Sequence, residues 1–169
     1  MKTRKAFTLI ELLLYIGLLA IVITAVTGFT VDVISTRTKT HVIVEVEQNA
    51  RFSLLRILRS IRQATDVNNG GSTFNNDNGV LALAQSATST DPAIFDLSAG
   101  AIRLKEGSGT ATPLTTAEVT VTKLRFSKDN VNGGKAITAL IELKYNTNNT
   151  TSDYDYVIST SGTAVIRKQ

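Results

Sequence analysis

The 169-residue chain has no cysteine, one histidine and two prolines. Each shortage removes a class of chemistry. Without cysteine there is no disulfide framework and no thiolate nucleophile. With a single histidine added to that, a structural zinc site lacks its ligand set. A Ser-His-Asp triad would have to use His41, which sits among charged and β-branched residues with no nucleophile motif around it. No acid/base pair, metal cluster or nucleophile elbow can be assembled, so the expectation is a non-enzymatic protein without a cofactor. No proline precedes Pro92, so nothing in the first half forces a helix to break.

Positive charge is also scarcer than it first looks. The formal charge is +4, but Lys2, Arg4 and Lys5 carry much of it; without the first six residues the basic count falls from 18 to 15 against 14 acids. Between Gln63 and Ile102 there is no Lys or Arg, while Asp66, Asp77, Asp91 and Asp96 fall in that interval. Arg51, Arg56, Arg59 and Arg62 lie just before it, and the expectation is that they pair with this acidic stretch, within or between subunits. A nucleic-acid stripe is the competing reading of the four arginines. It lacks the interleaved aromatics that stack on bases, so no nucleic-acid partner is expected.

What the chain does have is a long apolar run. Residues 7–29 read FTLIELLLYIGLLAIVITAVTGF, with one charge, Glu11. As a helix this run spans about 35 Å, enough to cross the hydrocarbon core of a bilayer. It is too long for a cleaved secretory signal, and the small residue Ala6 precedes it instead of following it. The basic residues ahead of it place the N-terminus on the cytoplasmic side. A carboxylate inside such a run is costly and calls for a partner.

The segment Lys5-Ala6-Phe7-Thr8-Leu9-Ile10-Glu11-Leu12-Leu13 resembles the cleavage and methylation motif of type IV pilins and type II secretion pseudopilins. The resemblance covers about the first thirty residues. It implies that a prepilin peptidase cuts between Ala6 and Phe7 and methylates the new amine of Phe7, and that Glu11 serves assembly. Ala6 stands where the family usually has glycine. The segment 50–64, ARFSLLRILRSIRQA, resembles the corresponding helix of J-type pseudopilins and W-type minor pilins.

Residues 7–66 are expected to form one helix of about 90 Å. The stretch 38–46, TKTHVIVEV, is locally a poor helix former and taken alone reads as a strand. It is followed by an amphipathic pattern in which Ala50, Leu54, Ile57, Leu58 and Ile61 share a face, with Glu47 placed to pair with Arg51. The interval 67–79 is rich in Asn and Gly and reads as loop. Strands are expected at 80–83, 93–97, 101–105, 119–126, 136–145, 154–159 and 163–167, with turn-forming groups between them. Short loops between consecutive strands imply an antiparallel sheet. In 136–145, Ile137, Ala139, Ile141, Leu143 and Tyr145 should face the helix. In 119–126, Val119 and Val121 are out of phase with Leu124 and Phe126, so a bulge is expected near Thr122–Lys123.

The fold class is therefore α+β: a long N-terminal helix, transmembrane in its first half, packed against an antiparallel sheet. This is also the order of the pilin fold. The expected organisation is a leader at 1–6, a transmembrane segment at 7–30, a continuing amphipathic helix at 31–66 and an extracytoplasmic head at 67–169. The implied partners are prepilin peptidase, other pilin or pseudopilin subunits, and the inner or cytoplasmic membrane.

Three smaller patterns have plainer readings. Asp129, Asn130 and Asn132 have the flavour of a calcium loop but lack its terminal acid, and a hairpin turn accounts for them. The Asn148 and Asn149 sequons fall in an Asn/Thr-rich turn. Tyr154 and Tyr156, alternating with Asp153 and Asp155, suggest a sugar patch less well than one strand with an aromatic and an acidic face. Two functions remain: a filament subunit, or a binding module for which the helix is only a signal anchor. Glu11 separates them, since a simple anchor has no use for it.

Overall fold

In the computed structural model, which describes residues 7–131, 134–147 and 155–166, the chain divides into two compact units, 1–40 and 41–169. Helix α1, Leu9–Gln63, runs through both. It is followed by β1 (Asp66–Val67), a 3-10 turn (Asn69–Gly71), β2 (Leu81–Ala84), β3 (Ala93–Ser98), β4 (Ala101–Glu106), β5 (Thr112–Pro113), β6 (Val119–Val131), β7 (Gly134–Tyr145) and β8 (Val157–Ile166).

The β-branched stretch 38–46 is helical. Thr36, Thr38 and Thr40 each turn their hydroxyl back onto the carbonyl four residues earlier, at 2.9–3.1 Å. This satisfies the side chain without leaving the helix. Where sequence suggested one sheet there are two, both antiparallel: β1-β2-β3-β4-β5 and β6-β7-β8. The 41–63 part of α1 buries Val46, Ala50, Ile57, Leu58 and Ile61 in a common core with Phe95, Phe126 and the Ile137, Ala139, Ile141, Leu143 face of β7. Polar contacts also cross this interface. Asn49 takes the amide of Thr116 at 2.9 Å and donates to Glu45, whose carboxylate also accepts the Thr116 hydroxyl.

The bulge falls where the phase change demanded it. The β6–β7 register shifts between Val121 and Lys123, and Val119, Val121, Leu124 and Phe126 are all buried. The extra residue, Thr122, is held by its hydroxyl, which donates to Glu142 Oε1 at 2.8 Å. The amide of Val121 reaches across to Gly100 O at 2.8 Å, tying the two sheets together.

Three expectations are corrected. The two final strands are one, because Gly162 does not make a turn; it pairs with Ala139 in the middle of β8. Glycine is needed there because α1 passes close: a Cβ would lie 2.8 Å from Leu58 Cδ1 and 3.5 Å from Leu54. Gly162→Val is expected to destabilise the head by about 1–3 kcal/mol by overpacking, less in a Leu58→Ala background, as urea unfolding would show. Second, within the chain the helix arginines make no pair with the acidic stretch among the described residues. Asp66 pairs with Lys135, Asp77 with Arg125 and Asp96 with Arg103, while the Asp91 carboxylate accepts from the Gln85 amide. The cross-strand and loop geometry places these partners closer than the helix. Arg56 instead meets Glu106 at 2.8 Å. Third, Glu47 accepts from the Tyr156 hydroxyl at 3.1 Å, and no Glu47–Arg51 pair forms among the described residues.

These pairs set a pH dependence. The Lys135 hydrogen bond holds the Asp66 carboxyl below its ordinary value, and hydrogen bonds from Thr122 and Lys123 do the same for Glu142. Carboxyls lowered by folding stabilise the head above the ordinary carboxylate range and lose that contribution as pH falls through their folded values. Tyr156 is raised, by burial first and then by its bond to Glu47, so its contribution is lost as pH rises past the ordinary phenol range. Thermal melts should show a plateau between these limits. Lys135→Ala should flatten the acid limb only slightly, since the pair is largely solvated.

Candidate processing and assembly site

The apolar segment begins with a capped helix. The Thr8 carbonyl accepts the first helical bond, from Leu12 N at 3.2 Å. Its side-chain Oγ1 accepts the amide of Glu11 at 3.3 Å. Thr8 is thus the N-cap and Glu11 the third helical residue, the spacing of a capping box. A carboxylate in the first turn also lies at the positive end of the helix dipole. Glu11 therefore has a local reason to be tolerated at this depth. The Thr8-x-x-Glu11 spacing that signals it is present in sequence, and Thr8 is the residue whose role a reading centred on Glu11 passes over. Phe7 is exposed, its ring edge-on to Tyr15 with centroids 6.2 Å apart.

Beyond Glu11, Leu12–Val31 contains no charged side chain. Its apolar residues are exposed on all sides: Leu14, Leu18, Ile21, Val26 and Phe29 are each more than half exposed. A helix apolar all round is built for lipid or for the interior of an assembly. Its threonines fit that setting, because Thr24, Thr27 and Thr30 each bond the carbonyl four residues back at 2.8 Å, which satisfies their hydroxyls. By length and composition α1 is long and apolar enough to cross a membrane.

A family model described as the prokaryotic N-terminal methylation motif matches residues 1–27. Together with a long apolar helix whose later part packs on antiparallel sheets, the motif matches a pilin-like α+β architecture. The fold is pilin-like. No curated protein and no solved structure matched the chain.

The other candidate positions of this pilin-like chain are scattered. Ala6 and Asn132 lie outside the described residues, as do Asn148, Asn149, Asp153 and Tyr154. Asp129 and Asn130 sit in regular β6–β7 pairing, opposite Ala136 and Lys135. Among the described residues no group of three or more His, Asp or Glu side chains gathers to hold a metal. His41 is exposed on α1. Arg51, Arg59 and Arg62 are exposed on the same helix. The pilin-like fold is consistent with a non-enzymatic structural subunit.

Proposed function

We propose that the chain is a structural subunit, a minor pilin or pseudopilin, of a type IV pilus, type II secretion or competence filament. A prepilin peptidase removes residues 1–6 and methylates the amine of Phe7. The helix holds the subunit in the cytoplasmic membrane with its N-terminus inside and residues 41–169 outside, until it is drawn into the filament. The observation that carries this reading is the joining of the methylation motif to a capped helix whose first segment, through Val31, holds a single charge, the Glu11 carboxylate in the first turn.

Cleavage creates a positive amine on Phe7, and Glu11 lies about one helical turn away. In a low-dielectric surrounding an unpaired charge of either sign is strongly penalised, and pairing offsets much of that cost. A pair formed between neighbouring subunits would also fix their axial register, which leucine packing alone does not. The test is fractionation of cells that make the full chain with its assembly system. Recovery of the chain with sheared filaments supports the reading. Retention entirely in the membrane fraction while filaments form normally would transfer it to the signal-anchor function.

A further inference from the structure

Among the described residues, the sheet edges of this head are guarded, with one exception. β1 and β5 have two residues each, and β5 ends on Pro113. The outer edge of β6 is covered: Gly100 O takes the Val121 amide, Asp77 O the Leu124 amide, and Phe126 O accepts from Asn75, all at 2.8 Å. It also carries a bulge and the charged residues Lys123, Arg125 and Lys128. These are the devices that keep edges from pairing with other chains. β8 has none of them. Its ten residues, VISTSGTAVI, contain no charge and no proline, and ten consecutive pairs with β7 run without a register shift. Among the described residues no strand lies on its other side. Val157 and Val165, on its outward face, are 53% and 42% exposed.

The helix supplies a second wall. Leu54 and Leu58 lie over Gly162, at the middle of this edge strand. At 100° per residue, the side chains next around α1 from that contact, away from the buried face, are Arg51, Arg62 and Leu55. Leu55 is 53% exposed, and neither arginine has a partner among the described residues. Arg62 lines a cleft of about 460 Å³ with Thr163, Ala164 and Val165.

We infer that the β8 edge and this helix flank together accept an extended segment of another protein of the assembly, added as a fourth strand. Main-chain bonds to β8 supply the affinity. An apolar side chain meets Leu55, and a carboxylate meets Arg51 or Arg62. A second copy of β8 is the wrong occupant, since it brings no acid to the two arginines. The inference rests on the proposed assembly function only for the source of the segment.

The experiment uses the full chain in detergent micelles. The probe is a blocked ten-residue peptide alternating Thr and Val, with Glu at two of the Thr positions; the control has Lys in place of Glu. Amide exchange across 157–166 should slow at least tenfold with the Glu peptide, with β6 and β7 unchanged. Fluorescence anisotropy should show the Glu peptide binding at least tenfold tighter than the Lys peptide. The exposed double substitution Arg51→Glu, Arg62→Glu should reverse that preference, and Arg62→Gln should weaken it. Absence of β8 protection would overturn the inference. So would equal binding of the two peptides, protection that rises with protein concentration alone, or capture of a short DNA duplex by the arginines instead. Carbonate extraction reads membrane anchoring separately, so either result can fail while the other stands.

Discussion

Glu11→Val will leave membrane insertion and removal of residues 1–6 intact while lowering recovery of the chain with sheared filaments at least tenfold. The expectation follows from the cost of leaving one member of a buried ion pair uncompensated, about 3–5 kcal/mol. The Thr8 cap complicates a single substitution, because Glu11 also stands at the third helical position, where its carboxylate has the spacing to complete a capping box. Glu11→Gln separates the two roles. Glutamine keeps the capping chemistry and removes the charge. If charge pairing with the Phe7 amine sets the docking, both variants lose incorporation by similar factors. If helix capping is what matters, glutamine behaves like the parent chain and only valine fails, by no more than a capping loss of about 0.5–2 kcal/mol. Processed fraction and filament fraction, measured on the same cells, distinguish the outcomes.

Removing residues up to Thr30 will leave a soluble, folded and monomeric head with one cooperative thermal transition. Most of the exposed apolar surface lies in the deleted part, whereas the buried residues of α1 begin at Val42. All the core partners of Ile57, Leu58 and Ile61 remain. With no cysteine to cross-link it, the head depends on packing alone, and its stability should fall within about 5–15 kcal/mol. Ile57→Ala in the truncated protein should cost about 2–5 kcal/mol. A fragment that melts without cooperativity, or that carries this substitution without loss, would show that the helix does not close the core.

Much of this architecture was legible because its signals are strong and local. An apolar run of membrane length, an amphipathic repeat and a phase slip in a strand each follow from a fixed side-chain period. The slip could be placed near Thr122–Lys123, since a period of two cannot bury Val121 and Leu124 on one side. What sequence obscured depends on contacts between distant segments. Gly162 looked like punctuation between two strands, yet it is a close approach between β8 and Leu58. Asp66 and Asp77 stand nearest in sequence to the helix arginines, but the fold brings them Lys135 and Arg125 from the β6-β7-β8 sheet, while Asp96 meets Arg103 across the β3–β4 pair. The division into two sheets likewise turns on which strands meet, and alternation within a strand does not encode that. At the N-terminus, composition drew attention to Glu11 as an isolated charge, and the backbone bond from its amide to Thr8 adds a local role that spacing alone had signalled.

The mass of the N-terminal peptide from assembled material tests the central claim most directly. The account predicts a peptide that begins at Phe7 and carries one added methyl group on its amine. A peptide beginning at Met1, recovered from filaments that contain the chain, would contradict it.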